Sequence, residues 1–134
     1  MIKQLAHICI RTKDLAETRE FYTDVLGLEI KFEFEKDGNP FGCYVALGGN
    51  TFIEVFQGDP GETGTIQHVA IEVDDLDDLI NRIRSRGIAV SEKKLGVDDS
   101  WQAWVTDPNG VRIEFHEYTP KSRQLIGGKC EVNW

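Results

Sequence analysis

Short runs of this chain alternate apolar and polar residues, and the phase of the alternation is consistent. In AHICIRT, Ile8 and Ile10 fall on one face of a strand and His7, Cys9 and Arg11 on the other, because successive strand side chains point to opposite sides. In QHVAIEV, Val69 and Ile71 oppose His68, Ala70 and Glu72 in the same way. Two later runs repeat the arrangement. Ile53 and Val55 oppose Phe52, Glu54 and Phe56, while Ile113 and Phe115 oppose Arg112, Glu114 and His116. Strands are predicted over 5–11 and 67–73 and around residues 54 and 114, each with one apolar face suited to lie under helices. Helical spacing takes over near Asp14 and Asp75, whose carboxylates can accept from free N–H groups of a first helical turn. Phe21, Tyr22, Val25 and Leu26 give the first helix its stripe and Gly27 its stop; Leu76, Leu79, Ile80 and Ile83 serve the second, ended by Gly87. KDGNP, LGGN and TDPNG read as turns between further strands.

The chain repeats itself. His7 aligns with His68, Ile10 with Ile71, Asp14 with Asp75 and Leu15 with Leu76 at an offset of 61, and Glu54 aligns with Glu114 at an offset of 60. Both halves carry the order strand, helix, strands, so an internal duplication is the economical reading. The expected fold is α+β: one domain over 1–134 holding two βαβββ modules, 3–57 and 65–118. GDPGETG, residues 58–64, is the junction, and 119–134 form a C-terminal arm covering a neighbouring module, the site mouth or only surface.

Composition narrows the functional classes. The chain has 134 residues, 40% hydrophobic and 28% charged, an ordinary globular balance. No apolar run approaches the roughly 20 residues of a membrane span, and the N-terminus lacks the pattern of a signal peptide. A cytoplasmic protein is expected. A formal charge of −8 argues against nucleic acid as a partner, which needs clustered Lys and Arg. Cys9, Cys43 and Cys130 form neither a CxxC pair nor an even set, so reduced thiols are expected.

The polar faces of the four strands carry His7, Glu54, His68 and Glu114 at duplicated positions. An antiparallel sheet with one wet side accounts for polar residues there, but not for this choice at matched places. Two imidazoles and two carboxylates suit one divalent transition ion. An octahedral Ni²⁺, Co²⁺ or Mn²⁺ ion would keep two coordination positions open, and so could an expanded Zn²⁺ site; all four fit these residues. Arg11, on the His7 face, reads either as a substrate contact or as a surface arginine at a strand edge. His116 reads as a substrate contact, a support for the ligands or a strand-end residue. Phe52, Phe56, Trp101 and Trp104 can wall an apolar pocket or pack in the core. Cys9 reads as a small buried residue lining the cup.

With these residues the sequence resembles the vicinal oxygen chelate superfamily, and within it the short bacterial glyoxalase I type (lactoylglutathione lyase). The resemblance runs from residue 3 to about 118, and DLAETREFYTDVLGLE and TDPNGVRIEF carry it together with the four ligand positions. It implies a cupped sheet around a metal held by His7, Glu54, His68 and Glu114, with helices on the outer face. It also implies a homodimer, with the site either shared across the interface or formed by both modules of one chain. The implied reaction converts the hemithioacetal of methylglyoxal and glutathione to S-lactoylglutathione through an enediolate. Glu114 is then the base, with Glu54 opposite it as ligand and second base, and Arg11 lies where glyoxalase I has an arginine near the glutathione carboxylate. Other metal-dependent reactions of the superfamily, epimerisation or dioxygenation, are the alternative. A ligand-sequestering module like the bleomycin-resistance proteins is a further one, although such a module has no reason to keep two His and two Glu in register.

Overall fold

Strand β1 (Ile2–Thr12) lies at the centre of the sheet, and each half of the chain is built outward from it. The computed structural model describes residues 1–25, 28–62, 64–106 and 112–134. The first half continues through helix α1 (Leu15–Glu20) and strands β2 (Glu29–Lys36), β3 (Asn39–Gly48) and β4 (Thr51–Gln57). The second half repeats that order with β5 (Ile66–Val73), α2 (Leu76–Ser85), β6 (Lys94–Leu95), β7 (Ser100–Thr106) and β8 (Arg112–Tyr118). Helix α3 (Arg123–Ile126) and strand β9 (Gly128–Glu131) close the chain. The fold is α+β with a single mixed sheet, ordered β6-β7-β8-β5-β1-β4-β3-β2-β9.

The helix starts follow the sequence signals. Asp14 Oδ1 accepts from the Glu17 N–H at 2.9 Å, and Asp75 Oδ1 accepts from the Asp78 N–H at 2.9 Å. Helix α2 ends in a Schellman turn, with the Gly87 N–H on the Arg84 carbonyl at 2.9 Å, the Ile88 N–H on the Ile83 carbonyl at 3.4 Å, and Gly87 at φ +73°. The first helix departs from expectation. It is α-helical only to Glu20 and widens into a π turn over Phe21–Val25. Thr23 Oγ1 donates to the Arg19 carbonyl at 2.9 Å and so competes for an acceptor of the helical ladder, a known cause of distortion. The predicted stripe and stop at Leu26 and Gly27, and most of the TDPNG turn, lie outside the described residues.

Period-two alternation sorts the strand residues onto two faces. Under α1, Leu15 packs with Cys43, Val45 and Val55; under α2, Leu76 and Ile80 pack with Val73, Ala103 and Phe115. These apolar contacts form the convex side. The concave side holds a third apolar cluster, Phe32, Phe34, Tyr44 and Phe52 with Cys130 and Val132 from the tail. Burial of such side chains contributes about 1.5–3 kcal/mol each.

The last 16 residues are more than a surface arm. The Arg123 N–H donates to the Asp98 carbonyl at 2.8 Å, and Gln124 Nε2 donates to Asp98 Oδ2 at 2.6 Å, tying α3 to the loop before β7. Strand β9 then pairs in parallel with β2 at the opposite edge of the sheet. The tail thus straps the two outer walls of the cup together. Among the described residues no helix is long and apolar enough to cross a membrane. Cys9, Cys43 and Cys130 are buried free thiols, as expected.

Gly42 on β3 shows how closely the inner surface is filled. A Cβ there would sit 2.4 Å from the Val55 carbonyl oxygen and 2.7 Å from the Phe56 ring. Gly42→Ala is expected to destabilise the protein by about 1–3 kcal/mol, read as a fall in the midpoint of thermal unfolding. An unchanged midpoint would show that β3 and β4 separate at little cost.

Candidate metal centre

Four strands bring the candidate ligands to one point. β1 supplies His7, β4 supplies Glu54, β5 supplies His68 and β8 supplies Glu114. The pairing explains the convergence. Antiparallel β1 and β5 place His7 opposite Ala70 and Cys9 opposite His68. Parallel pairing then sets Glu54 beside Cys9 and Glu114 beside Ala70. Cys9 and Ala70 occupy matching places in the repeat, and both are small enough to leave room between the four larger side chains. All four ligand candidates meet within one chain.

Their donor atoms are close. His7 Nε2 lies 2.8 Å from His68 Nε2, 3.4 Å from Glu54 Oε2 and 3.2 Å from Glu114 Oε2. His68 Nε2 lies 3.5 Å from Glu54 Oε2 and 3.3 Å from Glu114 Oε2. Adjacent donors bonded to one ion at 2.0–2.2 Å stand about 2.8–3.6 Å apart, so these separations fit a single divalent ion. The group is also deeply buried: His7 is fully inaccessible, Glu54 and His68 are 8% exposed, and Glu114 is 4% exposed. Ionisable groups this deep are retained where they pair with each other or bind metal.

The surroundings of His7 complete the fit. An imidazole that gives Nε2 to a metal carries its proton on Nδ1 and donates it to a neighbour that fixes the ring. Tyr44 Oη stands 2.8 Å from His7 Nδ1. Burial raises the pKa of the Tyr44 phenol well above its usual range, so it stays neutral and its oxygen can accept the hydrogen bond from Nδ1–H. The Trp104 ring packs edge-on against His68 at 4.9 Å, in the place that Tyr44 occupies in the first module.

Burial acts on the Glu114 carboxyl by raising its pKa, but the His116 charge and hydrogen bonds from the imidazoles prevail and hold it well below the carboxylate range. For His116, burial acts to lower the pKa, but the charge of Glu114 and the hydrogen bond to it outweigh burial and raise it to about 9. Burial and the neighbouring Glu54 push the Cys9 thiol far up, and Cys9 lines the cavity as a neutral residue.

A cavity of about 530 Å³ opens above the cluster, with Glu54, His68 and Glu114 at its floor. Phe34, Phe41, Phe56 and Trp134 form an aromatic side, Trp134 meeting Phe56 at 6.1 Å. Arg11 and Arg112 stand at the mouth, Arg112 stacked over Trp104 at 4.4 Å. Arg11, Phe56 and Trp104 therefore line the cavity.

Two other sequence expectations need correction. Phe52 is absent from the cavity lining; it is 2% exposed and packs on Tyr44 at 5.4 Å, because the tail fills that end of the cup. His116 is not a partly exposed strand-end residue: it is 1% exposed and lies behind the cavity lining, with Nε2 3.1 Å from Glu114 Oε2. Trp101 takes the core place open to it, in the cluster under α2. Sequence reasoning missed Tyr44, which had a weak signal, lying across the LGGN hairpin from Glu54. Trp134, the last residue of the C-terminal arm, takes the site-mouth place that was one alternative for that arm.

Comparison with known proteins places this arrangement. The sequence model of the Glyoxalase/Bleomycin resistance protein/Dioxygenase superfamily matches residues 4–115. Lactoylglutathione lyase of Shigella flexneri is 30% identical over 132 residues, covering 91% of this chain and 98% of its own. Metallothiol transferase FosB of Staphylococcus haemolyticus is 28% identical, covering 87% and 84%. Methylmalonyl-CoA epimerase from Mycobacterium tuberculosis superposes with a TM-score of 0.75 at 28% identity, covering 90% of this chain and 91% of its own.

Tyr44→Phe removes the acceptor for the His7 ring proton and little else. Metal affinity is expected to fall roughly 10- to 100-fold, the usual cost of losing such a support, in a competition titration with a chromophoric chelator. Unchanged affinity would show that His7 needs no such orientation.

Proposed function

This chain belongs to the Glyoxalase/Bleomycin resistance protein/Dioxygenase superfamily, and we propose that it is a metal-dependent lyase or isomerase of glyoxalase I type. Its substrate in this reading is the hemithioacetal of methylglyoxal and glutathione, and its product S-lactoylglutathione. The observation that carries the reading is the meeting of two imidazoles 2.8 Å apart with two carboxylates, each 3.2–3.5 Å from both imidazoles, at the bottom of a cavity floored by Glu54, His68 and Glu114. The likeness to a lactoylglutathione lyase along nearly the whole chain supports the choice within the superfamily.

His7, Glu54, His68 and Glu114 would hold one divalent ion, with Ni²⁺ or Co²⁺ favoured. When bound, it would supply Lewis acidity to two adjacent substrate oxygens, making the hydrogen on the hydroxyl-bearing carbon next to the carbonyl acidic. The protein's own residues do the rest. Glu114 takes that proton and returns it to the neighbouring carbon, so the substrate is isomerised with no net gain or loss of atoms. Glu54 faces the reacting carbons from the other side of the cluster. Tyr44 fixes the His7 ring. The buried walls exclude water that would quench the carbanion-like charge, and Arg11 at the mouth is placed to meet an anionic substituent. Epimerisation by the same proton transfer is the second reading, supported by the likeness to a methylmalonyl-CoA epimerase.

The test is the hemithioacetal isomerase assay on protein reconstituted with each of Ni²⁺, Co²⁺, Zn²⁺ and Mn²⁺. Glu114→Gln is expected to lower kcat by about 10²–10⁴-fold, the usual worth of a positioned base. No turnover by the wild type with any metal, or full turnover by the variant, would overturn the assignment.

A further inference from the structure

Of the five phenyl and indole rings that line the cavity, three are already engaged by the protein itself. Arg112 lies over Trp104 at 4.4 Å, Lys36 lies over Phe41 at 5.3 Å, and Phe34 is 2% exposed within the concave cluster. Phe56 and Trp134 remain, meeting edge-on at 6.1 Å. Phe56 rests against the β3 backbone at Gly42, where a Cβ would stand 2.7 Å from its ring. Trp134 comes from the tail. Cys130 and Val132 share its alternation and are 3% exposed, filling the cup, yet Trp134, two residues on, is 57% exposed. A large apolar ring held open beside a cavity adds little to the fold and offers surface for a ligand to cover. The tail also lies outside residues 4–115, which match the superfamily, so Trp134 is an addition to the shared fold. The duplication separates the two modules in the same way. His116 takes the place of Phe56 in the second module and is 1% exposed, so the open ring belongs to the first module.

We propose that Phe56 and Trp134 form a subsite for a flat apolar group, and that the favoured substrate carries an aryl substituent on the carbons whose oxygens meet the metal. The inference rests on the metal reading above but not on which reaction follows. Glu54, His68 and Glu114 floor the same cavity, so one molecule can set two oxygens on the floor and a ring against the aromatic side. At about 530 Å³ the cavity has the size of an ordinary small-molecule site, with space beyond a three-carbon oxoaldehyde. Within the glyoxalase reading, the thiol adduct of an aromatic 2-oxoaldehyde is then preferred to that of methylglyoxal, whose methyl group cannot cover both rings. Ring-to-ring contact of this kind favours the aryl group by roughly 3- to 10-fold.

Hydroxamates offer two adjacent oxygens to a metal and lack the hydroxyl-bearing carbon that the proposed reaction needs, so they separate binding from turnover. Acetohydroxamate and benzohydroxamate differ by methyl against phenyl, and calorimetry on the Ni²⁺- or Zn²⁺-loaded protein gives the ratio of their affinities. The wild type is expected to prefer benzohydroxamate roughly 3- to 10-fold, Trp134→Ala to lose most of that preference and Trp134→Phe to keep most of it. Trp134 lies outside every helix and strand, so both variants are expected to fold. Equal affinities in the wild type, or a preference that persists in full in Trp134→Ala, overturns the proposal while leaving the metal site intact. If neither hydroxamate binds the metal-loaded wild type, this proposal and the metal reading fall together. A phenyl preference that depends on Trp134, without hemithioacetal turnover, upholds the subsite and removes the glyoxalase assignment alone.

Discussion

The antiparallel pairing of β1 with β5 joins the two modules, and its register fixes where every reactive group stands. Cys9 lies opposite His68 and His7 opposite Ala70, so each imidazole rises beside a small residue of the facing strand. Each module then adds its glutamate through a parallel partner, β4 or β8. A shift of β1 by one residue against β5 would exchange its inward and outward faces, sending Ile8 and Ile10 into the cup and His7 under the helices. The apolar clusters beneath α1 and α2 oppose that shift. Packing on the convex side is therefore what keeps the chemistry in place on the concave side.

The concave side is energetically unusual. It buries His7, Glu54, His68, Glu114 and His116 together, and Glu72 a little farther along. Glu72 is answered by Lys3 and Gln4. The other five have mainly one another and Tyr44. Desolvating such a set is costly unless the charges are compensated, and a divalent cation compensates two carboxylates while using imidazole lone pairs. The centre is best understood as stability given up for function, with the strap of tail residues and the convex clusters holding the fold together around it.

Much of this was legible in the sequence because it depends on local periodicity. The alternation of Ile8 and Ile10 with His7 and Cys9 gives the faces; Asp14 and Asp75 mark the helix starts; the spacing of His7 and Glu54, repeated by His68 and Glu114, gives the duplication. The α+β class of paired modules follows from these. What stayed hidden depends on contacts distant in the chain. Phe52 was placed on the correct face, but which end of the cup is filled depends on Cys130 and Val132, carried there by parallel pairing of β9 with β2. His116 read as a strand-end residue because it is near the end of β8, whereas α3 and the loop at Asp98 close over that end. The π turn after α1 reflects one threonine hydroxyl competing for a carbonyl, an effect below the reach of apolar spacing.

In the proposed centre, two imidazoles and two carboxylates of a single chain hold one divalent ion. Elemental analysis of the wild type and His68→Ala, each loaded with Ni²⁺ or Co²⁺ and then freed of excess metal, is the decisive test. About one ion per wild-type chain and a large loss in the variant are expected, since deleting one of the proposed protein ligands weakens the site more than deleting an outer support would. A wild type that retains no ion, or a variant that retains as much as the wild type, would contradict the proposed centre and leave the cluster as a polar floor for metal-free ligand binding.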